Sequence, residues 1–169
     1  MNDDLLFELA DRLQNRFFGK YRGTVTAVDS RTLRIKANVP AVLGATPTGW
    51  CLPCVPYAGP HVGFFFVPAV GAAVWIEFEG GDVSQPIWTG CFWRAGELPS
   101  QAAPTTRGIV TAAPHQLLFD DNADSVTLAD SNGGTVAFDS DGVTTTRGSK
   151  SVAVADDAVA LNNGAFKVT

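Results

Sequence analysis

Polar and apolar positions alternate along much of this chain. In Tyr21–Val28 (YRGTVTAV), Tyr21, Gly23, Val25 and Ala27 share one face, and Arg22, Thr24 and Thr26 share the other. Thr32–Val39 repeats the pattern, with Leu33, Ile35, Ala37 and Val39 set against Thr32, Arg34, Lys36 and Asn38. A period of two is that of a half-buried strand, and Asp29-Ser30-Arg31 supplies the turn between the two. Further strands are expected at Phe64–Val67, Ala73–Glu79 and Pro86–Phe92, the last two joined by the turn run EGGD (79–82). Five short antiparallel strands with a long middle connection fit a five-stranded OB barrel better than a sandwich. The opening segment follows a helical rule instead. Leu5, Leu6, Leu9, Leu13 and Phe17 recur at spacings of three and four, Asp3 or Asp4 can cap the start and Gly19 can end it. Such a helix either packs on its own domain or docks on another subunit.

After residue 114 the pattern shortens. Apolar residues two apart recur as Leu117/Phe119, Val126/Leu128, Val136/Phe138, Val143 with Thr145, Val152/Val154, Val159/Leu161 and Phe166/Val168. The first members are separated by 9, 10, 7, 9, 7 and 7 residues, with turn clusters such as DSNGG (130–134), DSDG (139–142) and NNG (162–164) between them. Each unit is one short strand and one tight turn, and proline is absent, as a fully paired ladder requires. A single copy of such a tail leaves an apolar face and two edges in water, and about 55 residues is already a marginal size for a domain. Three copies around one axis would close a prism with the apolar pairs inside. Seven layers at ~4.8 Å make a rod of roughly 30–35 Å. A single-chain β-solenoid ranks second, because its rungs usually need more than seven residues to go round once.

Composition sharpens this division. All ten prolines lie at or before Pro114 and all four tryptophans at or before Trp93. Residues 1–114 carry nine basic and nine acidic side chains, so the net charge of −5 belongs to the last 55 residues, with three bases against eight aspartates. The organisation expected is a helix over 1–19, a barrel over 20–95, a Pro/Ala/Ser/Thr-rich linker over 96–114 (GELPSQAAPTTRGIVTAAP) and a repeat domain over 115–169. With 46% hydrophobic and 17% charged residues the chain can bury a core, and a pI near 4.8 argues against a general nucleic-acid binder. Ala37–Ile76 holds no Asp, Glu, Lys or Arg, yet its six prolines and five glycines exclude a spanning helix. The segment MNDDLLFELADRLQNRFF is acidic and amphipathic rather than basic then apolar, so no signal peptide is expected.

Candidate chemistry is thin. Cys51-Leu52-Pro53-Cys54 has C-x-x-C spacing, but a structural zinc site needs a second pair or two histidines, and only Cys91 and His61 remain. Free buried thiols are the plainer reading. Glu77 and Glu79 are two apart on an expected strand and so point the same way, an arrangement that can do acid–base work; a surface role fits better. Asp120/Asp121 and Asp156/Asp157 lack the spacing of a calcium loop. Arg31, Arg34 and Lys36 with Trp50, Trp75 and Trp88 are candidates for a nucleic-acid-binding barrel face, although the barrel half is neutral and its aromatics also suit protein contact.

The string VPAVLGATPTGWCLPCVPYAGPHVGFFFVPAVGAAVWIEFEGGDVSQPIWTGCFW (39–93) resembles the phage baseplate assembly protein V family, the OB domains of central spikes in contractile phage tails and related injection systems. The match runs through GW (49–50), PYAG (56–59), GFFFVP (63–68), VWIEFEGGD (74–82) and PIWTGCFW (86–93), and HQLLFDD (115–121) is similar to the start of that family's spike β-helix. The resemblance implies an all-β chain: a five-stranded OB-fold barrel with an N-terminal helix, followed by a C-terminal intertwined trimeric β-helix. It implies a non-enzymatic homotrimer made in the bacterial cytoplasm and placed in a virion tail or injection-particle baseplate. No cofactor, metal, nucleic acid or stable membrane anchoring is expected. The trimer core would be Leu117, Phe119, Val126, Leu128, Val136, Phe138, Val143, Val152, Val154, Val159, Leu161, Phe166 and Val168. Contacts to a baseplate hub protein would come from Leu5, Leu9, Leu13, Phe17, Trp50 and Tyr57, with an inner tube as a further partner. Phe166, Val168 and Thr169 would meet a PAAR-like tip protein. The alternative is an OB-fold binding module for nucleic acid or glycan; an enzyme is weakest, for want of an assembled catalytic set.

Overall fold

The computed structural model describes residues 16–169, so the helix expected over 1–19, with Leu5, Leu9 and Leu13, lies almost wholly outside the described residues. The described chain is nearly all β, and it divides into two compact units at Glu97/Leu98.

The first unit is a curled five-stranded sheet in the order β2-β1-β6-β7-β3. Its strands are β1 (Tyr21–Val28), β2 (Ile35–Asn38), β3 (Leu52–Pro53), β6 (Ala73–Phe78) and β7 (Pro86–Cys91). A two-strand hairpin, β4 (Ala58–Gly59) with β5 (Val62–Gly63), and one helical turn, α1 (Pro40–Leu43), fill the connections. The alternation in the sequence places the core. Val25, Ile35, Ala37, Val39, Val74, Ile76 and Phe78 face inward with Cys51 and Trp88, and all are buried. Pairing slips at Thr26 on β1, which has no partner on β2, and at Thr89 on β7, which has none on β6. Each slip is a β-bulge, which bends its strand and tightens the twist, and so curls the sheet. Gly23 lets the strands meet closely. A Cβ there would lie 3.1 Å from Ile76 Cγ1 and 3.3 Å from the Asn38 carbonyl oxygen.

Residues 47–53 close the curl. Cys51 donates its backbone N–H to the Ile35 carbonyl at 2.8 Å, and bridges join Ile35 to Cys51 and Asn38 to Pro47 along the open edge of β2. The next two residues, Leu52 and Pro53, pair parallel with Ile87 and Trp88 on the far edge. Buried Thr48 secures the strap: its hydroxyl accepts the Ala37 N–H at 3.0 Å and lies 3.2 Å from Cys51 Sγ.

This strap corrects one expectation. The fifth stave is not Phe64–Val67, which forms no strand; Phe64, Phe65 and Phe66 are exposed and Val67 packs against the core. Three successive phenylalanines cannot alternate between faces, and Pro68 follows them. Two further corrections concern single residues. Leu33 sits in the turn with φ 55°, out of line with the buried Ile35, Ala37 and Val39. Glu79 opens a 3-10 turn after β6 ends at Phe78, so Glu77 and Glu79 do not share a strand face; Glu77 pairs instead with Lys20 at 3.2 Å.

The second unit is an eight-stranded antiparallel meander in which every strand pairs with its neighbours in sequence. It comprises β8 (Thr106–Val110), β9 (Gln116–Asp120), β10 (Ser125–Ala129), β11 (Gly134–Asp139), β12 (Gly142–Arg147), β13 (Lys150–Val154), β14 (Val159–Leu161) and β15 (Phe166–Val168). The stretch expected to be a linker, 96–114, is therefore only partly one, because β8 lies within it and pairs with β9. No rung circles back on itself as a single-chain solenoid would require. One copy contributes a continuous ribbon whose strand-to-strand hydrogen bonds are made within the chain.

The turns of this ribbon are tied by aspartate. Asp130 Oδ1 accepts the backbone N–H of Gly134 at 2.7 Å and of Asn132 at 2.9 Å, while Oδ2 accepts Arg147 Nη1 at 2.8 Å. These hydrogen bonds, the Gly134 amide first, hold its carboxyl at about 2, well below the ordinary 3.8. A depressed folded-state pKa contributes stability above the unfolded value and loses it as pH falls toward the folded one. Acid is therefore expected to loosen the β10–β11 turn between about pH 4 and pH 2. The Gly134 amide shift, followed by NMR through that window, should move in the wild type and show no such step in Asp130→Ala.

Candidate functional site

The ribbon's register brings the apolar pairs onto one face as two columns. Ile109, Leu117, Leu128, Val136, Thr145, Val152, Leu161 and Phe166 pair successively to form the first. Arg107, Phe119, Val126, Phe138, Val143, Val154, Val159 and Val168 form the second. All thirteen residues expected in a trimer core thus share a face. In the single copy much of it stands open: Leu128 is 55% exposed, Phe138 49% and Phe166 60%. The opposite face is smaller and more polar, with Gly108, Thr127, Ala137, Thr144, Ala153, Ala160 and Lys167 in its central column and Leu118 as the one large apolar side chain. Monomeric proteins rarely leave a contiguous apolar surface of this kind in water.

Ile109 and Arg107 were not anticipated, because they lie in the supposed linker. The alternation in TRGIV (106–110) was the available signal. At the other end, Phe166 and Val168 complete the last rung and are exposed together with Thr169.

The barrel carries a second apolar surface. Leu33, Pro53, Val55, Tyr57, Phe64 and Phe66 line a groove of about 470 Å³, with Trp88 at its floor. The rings of Phe64 and Phe66 lie tilted against each other with centroids 4.8 Å apart, and Tyr57 and Phe65 stand largely in solvent. Trp50, grouped with Tyr57 as a hub contact, lies outside this groove, 41% exposed beneath Lys36 Nζ at 5.0 Å. Phe17 turns to its own barrel, edge to face with Tyr21 and Phe78 at 6.2 and 6.4 Å.

The residues proposed for nucleic-acid stacking do not gather. Trp88 is a core side chain, 5% exposed, while Trp75 lies under Phe92 on the outer face with Arg22 beside it. The thiols are not all buried as expected: Cys51 is buried, but Cys54 and Cys91 are exposed, so the C-x-x-C thiols sit in different environments; burial pushes the Cys51 thiol up. Among the described residues no three His, Cys, Asp or Glu side chains gather as metal ligands, and no helix is long and apolar enough to cross a membrane.

Comparison with known proteins agrees with this geometry unit by unit. Residues 21–93 match the type VI secretion system/phage-baseplate injector OB domain. Residues 108–167 match the phage baseplate V C-terminal trimerisation domain. The chain belongs to the phage baseplate V family of injector spike proteins. It is also similar to the actin cross-linking toxin VgrG1 of Vibrio cholerae serotype O1, 35% identical over 75 residues. That match covers 40% of this chain and 7% of the toxin, so the chain spans only a small part of the length of that relative.

Proposed function

We propose that this protein is the structural central spike of a contractile phage tail or phage-like injection system, a homotrimer that forms a needle below the baseplate hub and is driven through a target envelope. One observation carries the reading: a ribbon matching a trimerisation domain holds an eight-rung apolar face open in a single copy. Three such faces turned to one axis remove that surface from water. Apolar burial is worth about 25 cal/mol per Å², and the ladder distributes axial load over many backbone hydrogen bonds.

The role is mechanical rather than enzymatic. The toxin's named cross-linking activity belongs to a protein of which this chain matches a small part. The barrel's aromatic groove, with Tyr57, and the separate Trp50 surface serve the hub side, together with Leu5, Leu9 and Leu13. The open last rung at Phe166, Val168 and Thr169 seats a PAAR-like tip. Sedimentation of the purified protein tests the central claim. A species of three times the 17.8 kDa chain mass at micromolar concentration is expected, and a stable monomer there overturns it.

A further inference from the structure

The meander sorts its charges by edge. Turns alternate between the two long edges of the ribbon, and seven of the eight aspartates after residue 114 lie on one of them. The β9–β10 turn and its flanks carry Asp120, Asp121 and Asp124, the β11–β12 turn Asp139 and Asp141, and the β13–β14 turn Asp156 and Asp157. Among the described residues only Arg107, on Asp121, and Lys167, on Asp157 at 3.3 Å, reach this edge. The other edge carries one aspartate, Asp130, already held by Arg147, and Lys150 beside the Gly148–Ser149 turn. One edge therefore keeps five uncompensated negative charges, and the other keeps one positive charge. Among the described residues the Lys150 ammonium and the Asp141 and Asp156 carboxylates engage no partner in their own copy.

We infer that the ribbon edges themselves are the corner contacts between copies, the aspartate edge of one chain lying against the Lys150 edge of the next. The inference rests on the trimeric reading above and adds the direction and chemistry of its seams. Rotation about a three-fold axis brings a left edge to a right edge at every corner, so unlike edges always meet. A two-fold axis along the strands, which sets two copies antiparallel, would instead lay the aspartate edge against itself. Because turns occur on each edge only at every second strand, and the two edges are offset by one strand, the turns of one copy fit between those of its neighbour. With no axial shift, Lys150 stands between the neighbour's Asp141 and Asp156, each within one to two strand spacings of ~4.8 Å. The charge pattern thus selects a closed ring of parallel chains over other ways of covering the same apolar face.

The test uses the full chain in a fixed, partly dissociating urea concentration, with the monomer–trimer distribution read by sedimentation. Lys150→Glu is expected to weaken association about tenfold or more at low salt, because a modest exposed pair is repeated at three corners. In 1 M salt, where charges beyond about 3 Å are screened, most of that difference should vanish. Asp141→Lys with Asp156→Lys should weaken association as well. Combining these two with Lys150→Glu in one chain should recover most of the loss, which a mere folding defect would not do. If the wild type sediments as a monomer throughout, the trimeric reading fails. If it is a trimer and the variants match it at both salt concentrations, or the combined variant is no better than the single ones, the edge pairing is overturned and the trimer stands.

Discussion

Leu128→Asp is expected to abolish the trimer. Leu128 lies in the middle of the first apolar column, paired with Leu117 on β9 and Val136 on β11. In a single copy it is exposed, so an aspartate there costs the isolated ribbon little. In the closed prism three carboxylates would meet near one axis, away from water. An unpaired buried ion costs several kcal/mol even after relaxation, and like charges in one layer add to that. The trimer would then dissociate at micromolar concentration. Thr127→Asp provides the control, because Thr127 is one residue away on the opposite face. It should leave the sedimenting mass unchanged, with circular dichroism confirming strands in both variants. If Thr127→Asp dissociates the protein and Leu128→Asp does not, the faces are assigned the wrong way round and the small-residue column with Leu118 is the inward one.

How much of this was legible beforehand depended on the range of the contacts. The columns could be anticipated because each pair, such as Val136/Phe138, carries its own period of two, and register follows once successive strands are joined by tight turns. The inward faces of β1 and β2 were readable for the same reason. The strap at 47–53 was not. Leu52 and Pro53 are a strand only because β7 lies alongside, and nothing local in TPTGWCLPC marks it. The apolar run Phe64–Val67 misled in the opposite direction, since a continuous run signals burial without saying whether the backbone is a strand or a loop. Leu33 fitted the alternation and still fell in the turn, because Asp29 binds the backbone N–H of Arg31 and the hydroxyl of Thr32 and so extends the turn by two residues. Of the surfaces, the ribbon face was evident from pattern. The groove by Tyr57 required the fold, because it draws on residues from Leu33 to Trp88 that meet only when the barrel closes.

The second large effect lies in that barrel and decides between the two roles considered for its tryptophans. Trp88→Ala is expected to destabilise the first unit by about 3–5 kcal/mol, the usual cost of emptying a large aromatic site in a packed core. Trp88 pairs in register with Ile76 on β6 and Pro53 on β3, so its ring sits where the closing strap meets the sheet. Its Nε1 has no hydrogen-bond partner among the described residues, and truncation therefore removes volume and apolar contact without stranding one of their polar groups. For a unit of this size each kcal/mol shifts the midpoint by several degrees, so calorimetry should show the barrel transition falling by more than about 10 °C. The ribbon is a separate compact unit and its transition should hold. Trp88→Phe, which keeps most of the volume, should recover much of the loss. A tryptophan that stacked on a nucleic-acid base would behave otherwise. Its removal would weaken binding and leave the melting curve in place, because a stacking platform must stand in solvent to be used. A melting midpoint unchanged in Trp88→Ala would thus return the barrel to the class of binding modules, whereas its collapse makes Trp88 the keystone of the closure and leaves exposed aromatics such as Tyr57, Phe65 and Trp50 to meet a partner.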